Sequence, residues 1–155
     1  MQQKTGYLQS LKMVHMAMLV GQCLLLGIVF YMVMQHTMPP VAARIDKTLQ
    51  VVALVVSFGG IAGANLLFKN RLAAINAGGK PVTEKAWQYR KANIRRWAIT
   101  EAAETFCVIC FYLVGNYAFA ALAIALTGFF AMQGVNKIKI MLQLQLDEAE
   151  VAALQ

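Results

Sequence analysis

The sequence predicts an all-α integral membrane protein, a four-helix bundle with both termini on the cytoplasmic side. Three observations predict it. Of 155 residues, 59% are hydrophobic and only 14% are charged, where a soluble domain carries roughly a quarter charged residues. Residues 48–68 lie between Lys47 and Lys69 without one ionisable side chain, and no Asp, Glu, Lys or Arg occurs from Thr105 to Asn136. An amphipathic core helix of that length would show a charged face. Finally, the cations gather beside alternate ends of the apolar runs.

A span needs about 20 apolar residues to cross about 30 Å of hydrocarbon. Four segments approach or meet that length, at about 13–34, 48–68, 97–114 and 117–135, with residues 136–155 left as a cytoplasmic tail. Each must be helical, because lipid offers no water to satisfy an open backbone, and the runs lack the short alternating strands of a barrel. Val41-Ala42-Ala43 loosely resembles a signal-peptidase site. The preceding apolar run from Met13 to Met34 is too long for a signal core, so the first span is read as retained. Pro39-Pro40 breaks the chain after it, and Ala77-Gly78-Gly79-Lys80-Pro81 breaks the central loop. From Thr83 to Arg96 the chain is polar and helix-compatible, a cytoplasmic extension running straight into the third span. Beyond the fourth span, residues 137–146 alternate polar and apolar, which fits an extended stretch or a tail lying on the surface, and Asp147 is placed to cap a short helix through Leu154.

Orientation follows from the positive-inside rule. Lys4 and Lys12 flank the N-terminus, Lys69, Arg71, Lys80, Lys85, Arg90, Lys91, Arg95 and Arg96 fill the second loop, and Lys137 and Lys139 come after the fourth span. The first loop holds only Arg44 and Lys47, and the Gly115-Asn116 turn holds none. Tyr31, Tyr112 and Tyr117 mark the outer ends, and Trp87 and Trp97 the inner one. The formal charge of +7 is therefore a topology signal, and no nucleic-acid partner is expected. Gly21–Tyr31 aligns with Ala102–Tyr112, both closing on Phe-Tyr, which is compatible with two parallel two-helix repeats.

Glu101 and Glu104 are the most informative residues, since a carboxylate inside a span costs several kcal/mol and rarely faces lipid. Counted from Trp97, they lie about 6 and 10 Å below the inner interface. His15, Gln22, Asn65 and Gln133 fall at comparable depth in the other spans, so every span contributes to one candidate polar cluster. Such a layer serves either as hydrogen-bonded glue between helices or as a proton or cation site. Arg90, Arg95 and Arg96 are the candidate cations of the cytoplasmic mouth, able to meet anionic lipid headgroups. Gly59, Gly60, Gly63 and Ala64 form a small-residue stretch that lets another helix approach closely, within the chain, in a homo-oligomer or in a membrane-protein partner. Cys107-Val108-Ile109-Cys110 has redox spacing but lies deep in an apolar run, and Cys23 is equally apolar in setting, so all three read as free, inert thiols. His15 and His36 fall on opposite sides, so no shared metal is expected, and no cofactor motif is present.

The run from Arg90 to Asn116, with Arg96-Trp97-Ala98 and then Glu101 opening the third span, resembles a group of small four-span proteins of Bacteroidota. That resemblance implies a bacterial cytoplasmic (inner) membrane and brings no established activity. Rotor-ring proteolipids carry their essential carboxylate in the second helix of a hairpin and far more glycine. Membrane glutathione enzymes are echoed only by Arg90, Asn93 and Glu101, in another span, and small multidrug transporters place their Glu in the first span. The expected function is that of a non-catalytic membrane subunit that packs or binds a partner. The alternatives are a small proton-linked transporter or ion-conducting oligomer built on Glu101 and Glu104, and an enzyme with a ligand at the cytoplasmic mouth.

Overall fold

The computed structural model describes residues 6–35, 43–79, 81–148 and 150. Within them the chain forms α1 (Tyr7–Met34), a 3-10 turn (Ala43–Ile45), α2 (Asp46–Ala77), α3 (Val82–Val114), α4 (Tyr117–Met132) and α5 (Lys137–Leu144). His36, Pro39, Pro40, Lys80 and the far side of the Asp147 cap, through Leu154, lie outside the described residues.

Helices α1, α2 and α3 are each long and apolar enough to cross a membrane, and α4 counts as a further span only together with α5. At 32 and 33 residues, α2 and α3 reach about 48 and 50 Å at the α-helical rise, well beyond the hydrocarbon thickness. Helix α3 continues unbroken through Arg95 and Arg96 into the apolar run, as its polar, helix-compatible sequence predicts. Pro81 starts it without losing a helical bond, its carbonyl accepting the Glu84 and Lys85 N–H groups at 3.0 Å each. Gly115 ends it in the left-handed conformation at φ 71°, its N–H donating to the Phe111 carbonyl at 2.8 Å, a position where a Cβ would be strained.

Asn116 then does two things. Its side chain caps α4 by accepting from the Ala118 N–H at 3.0 Å, and its amide donates to Asp46 at 2.9 Å. The start of α2 and the α3–α4 turn are thereby joined at one end of the bundle. At the opposite end the Tyr7 hydroxyl donates to the Ala86 carbonyl, Asn76 donates to the Gln143 carbonyl at 2.9 Å, and the Tyr89 hydroxyl donates to the Gln143 side chain at 2.6 Å. The start of α1, the α2–α3 connection and α5 thus share that second end.

Helix α3 is the central element, packing against α1, α2 and α4. Half of its most apolar window is buried, against 22% for α2 and 11% for α1. Helices α3 and α4 pair extensively, whereas α1 turns to α3 and α4 instead of pairing with α2. The two halves of the chain therefore pack differently, although Phe30 and Phe111, equivalent in the sequence alignment, meet with ring centroids 5.9 Å apart.

The fourth apolar run departs from its expected length. Helix α4 stops at Met132, not Val135, and the chain bends by 76° into α5. Two short-range bonds, Gln133 N–H to Phe130 and Gly134 N–H to Ala131, tighten the last turn. Asn136 caps the new helix by accepting from the Lys139 N–H at 2.7 Å. The alternating residues 137–144 are thus helical, with Ile140 and Leu144 in the core and Ile138 and Leu142 outside. Past α5, Asp147 and Glu150 form a reciprocal capping box: the Asp147 side chain accepts the Glu150 N–H at 2.7 Å, and Glu150 accepts the Asp147 N–H at 3.0 Å.

Candidate functional site

The polar residues of the spans separate into two tiers. In the tier near the Tyr7 end, His15 is 5% exposed and stacks on Phe130, centroids 4.8 Å apart and planes 2° from parallel. Trp97, fully buried, packs against the same imidazole at 4.9 Å with its plane tilted by 53°, and also lies 6.4 Å from Phe130. The imidazole Nε2 lies 3.1 Å from the Phe130 carbonyl and donates to it, because a carbonyl can only accept. Close by in sequence on the same two helices, Gln133 donates to the Thr100 hydroxyl at 3.4 Å, and Thr100 donates to the Arg96 carbonyl at 3.1 Å. The Gln133 carbonyl oxygen has no partner among the described residues.

The middle tier centres on Glu104, which is completely buried while Glu101 is only half-buried. Three helical residues turn the chain by about 300°, so the two carboxyls share a broad face without sharing an environment. The Thr127 hydroxyl lies 3.0 Å from the Ala123 carbonyl and 3.3 Å from Glu104 Oε1. A hydroxyl has one proton, so it serves one of these oxygens at a time. Glu104 Oε2 has no hydrogen-bond partner among the described residues, and neither has either amide atom of Gln22, itself 2% exposed. Such orphaned groups are uncommon in buried settings. Ser57 and Cys107 meet at 3.4 Å between α2 and α3, and Asn65 is half-buried. The six residues expected to form one cluster are therefore distributed: His15 and Gln133 in one tier, Glu104 and Gln22 among the deep buried groups, Glu101 and Asn65 half-buried.

Thr127, Thr100 and Ser57 are polar members of these tiers that charge counting passes over. Thr127 is the single Ser or Thr of the fourth apolar run, and that isolation is the signal that points to it. It also lines a lateral slot of about 530 Å³ between α1 and α4, walled by Cys23, Leu26, Gly27, Phe30, Ile124 and Gly128.

The small-residue stretch on α2 presents two faces. Gly60 and Ala64 face α3: a Cβ on Gly60 would sit 3.6 Å from the Ala103 Cβ, and Ala64 is 2% exposed. Gly59 and Gly63 face away, with nothing within 4 Å of an added Cβ.

At the end marked by Tyr7, Arg95 and Arg96 line a groove between α2 and α3, and Arg96 also packs over the Phe68 ring at 5.1 Å. Arg90 is half-buried and lines none of the described cavities. Asn93 is buried and donates to the Tyr89 carbonyl at 3.0 Å. Among the described residues no three His, Cys, Asp or Glu side chains gather in a metal-binding group. No family model matches this chain, and neither a curated protein nor a solved structure matches it.

Proposed function

We propose that this is a four-span protein of a bacterial cytoplasmic membrane, with its α2–α3 connection and both ends inside, that works without catalysis by docking a second membrane helix. The location of the cations supports the orientation: Lys12, Lys69, Arg71, Arg95 and Lys139 belong to the end marked by Tyr7 and Gln143, while the Asp46–Asn116 end carries Arg44 and Lys47. The bacterial membrane is implied by the resemblance carried by Arg90 to Asn116.

The single observation that carries the docking role is the open face of α2. One small-residue face is occupied by α3, and the neighbouring one, Gly59 and Gly63 at GxxxG spacing, is unoccupied on a helix whose apolar window is only 22% buried. Small residues at that spacing let two backbones approach in lipid. Gly59→Ile with Gly63→Ile should reduce oligomer or partner capture, read by in-membrane crosslinking and by native mass in mild detergent, by about tenfold, with the thermal midpoint unchanged. Gly60→Ile should instead destabilise the chain itself, because its side chain runs into Ala103 and Ile99. Unchanged assembly in the Gly59, Gly63 variant excludes that face as the docking surface.

A second reading is favoured by Glu104. With Thr127 donating to Ala123, the 3.3 Å contact needs a proton on the carboxyl, and with Thr127 donating to Glu104 it does not. A buried carboxyl with two such hydrogen-bonding states, beside a slot lined by Thr127, suits a proton-linked transporter or ion-conducting oligomer. In liposomes, Glu104→Gln, alone or with Glu101→Gln, should then abolish a pH-driven flux while assembly is kept. Loss of assembly alone assigns Glu104 to packing.

A further inference from the structure

Two cavities lie end to end between α2 and α3, and Arg71, Ala92 and Arg95 belong to both. The outer chamber, about 440 Å³, is walled by Arg71, Lys91, Arg95, Trp87 and Gln88. The inner one, about 320 Å³, adds Arg96 and is walled below the three arginines by Ala64, Leu67, Phe68, Ala98 and Ile99. The seam falls where the sequence changes from charged to apolar on both helices, one turn past Phe68 on α2 and just before Trp97 on α3.

We propose that this groove is a binding site for one anionic phospholipid. The phosphodiester sits in the outer chamber against Arg71, Lys91 and Arg95, and an acyl chain runs down the inner chamber. The proposal rests on α2 and α3 crossing the bilayer and is independent of the docking face.

Charge complementarity supports it first. The two chambers are lined by four cations, Arg71, Lys91, Arg95 and Arg96, and by no carboxylate. Arg71 and Arg95 are exposed, with planar forks that match phosphate oxygens two at a time, and Lys91 adds a point charge. The Lys91 ammonium stands 3.3 Å above the centroid of the Trp87 ring, a contact that holds the cation at the rim of the chamber.

Shape supports it as well. From Arg71 to Ala64 the α2 wall descends seven residues, about 10 Å of apolar surface, opposed by Ala98 and Ile99 on α3. A soluble phosphate would use the outer chamber alone; only an amphiphile uses both. The depth agrees too, since basic pockets between helices at the cytoplasmic interface are where lipid headgroups lie.

The test uses the whole chain, delipidated in neutral detergent and titrated with phosphatidylglycerol, phosphatidylcholine, glycerol 3-phosphate and inorganic phosphate. Bound lipid is counted by native mass, and binding is followed by Trp87 emission. Trp87 is 55% exposed and lines the chamber, whereas Trp97 is fully buried. Phosphatidylglycerol should bind saturably, one per chain, with phosphatidylcholine at least about tenfold weaker and the two soluble phosphates silent at matched concentration. Arg71→Gln with Arg95→Gln should weaken phosphatidylglycerol about thirtyfold, from about fivefold per cation, and leave phosphatidylcholine unchanged. Lys12→Gln with Lys69→Gln, exposed cations outside the groove, should change it by less than about threefold. Equal binding of the two lipids, equal loss in both double variants, or binding of inorganic phosphate as strong as that of lipid would each overturn the assignment. Behaviour as a soluble protein without detergent would instead overturn the membrane reading.

Discussion

Replacing Trp97 by alanine is expected to lower the thermal midpoint in detergent by on the order of 10 °C, the largest effect of any single truncation in the tier around His15. Trp97 is 0% exposed, packs against His15 at 4.9 Å and Phe130 at 6.4 Å, and belongs to the buried cluster with Leu11, Phe68, Tyr89 and Ile140. That cluster joins α1, α2, α3, α4 and α5 at the end where Tyr7 meets Ala86. Removing a buried indole costs about 3–5 kcal/mol, and a chain of this size shifts by about 2–4 °C per kcal/mol. The indole N–H has no partner among the described residues, so no hydrogen bond is lost, and the whole effect is packing. Trp87→Ala supplies the contrast. That ring is more than half exposed, and its main contact is the Lys91 ammonium, so the change should cost less than about 1 kcal/mol. Equal midpoints for the two variants, read by differential scanning fluorimetry, would contradict the placement of the core.

Most of the helical architecture is legible in the sequence because charge exclusion from lipid is a strong constraint. The uncharged runs locate α1, α2 and the apolar part of α3, and the polar stretch from Thr83 to Arg96, free of glycine and proline, carries α3 into them without a break. The end of α4 is less legible. No charge appears between Met132 and Val135, and the stop lies in the turn bonds at Gln133 and Gly134 and in the Asn136 cap. In α5 a two-residue alternation conceals a helix. Ile140 and Leu144 make one apolar face against the core, and Ile138 and Leu142 make another that faces outward.

The site is harder to read for a related reason. A helix without charges gives little indication of which face turns inward, so the rotational phase of each span is set by packing. Glu101 and Glu104 illustrate this, one half-buried and one enclosed beside Thr127. Gly59 and Gly60 do so again: adjacent residues about 100° apart, one open and one against Ala103. The cations of the groove divide likewise. Arg95 and Arg96 reach it, and Arg71 and Lys91 join from positions that the sequence offers only as loop charge, while Arg90 stays outside.

Which end of the bundle faces the cell interior decides the rest. Ala118 is exposed in the first turn of α4, beside the Asn116 cap, and Thr83 is exposed at the start of α3, at the opposite end. The native thiols do not compete at either end: Cys107 and Cys110 are buried, and Cys23 lies in the apolar middle of α1. Each position is converted to cysteine in turn, and intact cells are treated with a membrane-impermeant maleimide. The arrangement with both ends inside predicts that Ala118→Cys is labelled in intact cells and that Thr83→Cys is labelled only after the membrane is opened. Labelling of Thr83→Cys in intact cells, with Ala118→Cys protected, would contradict it.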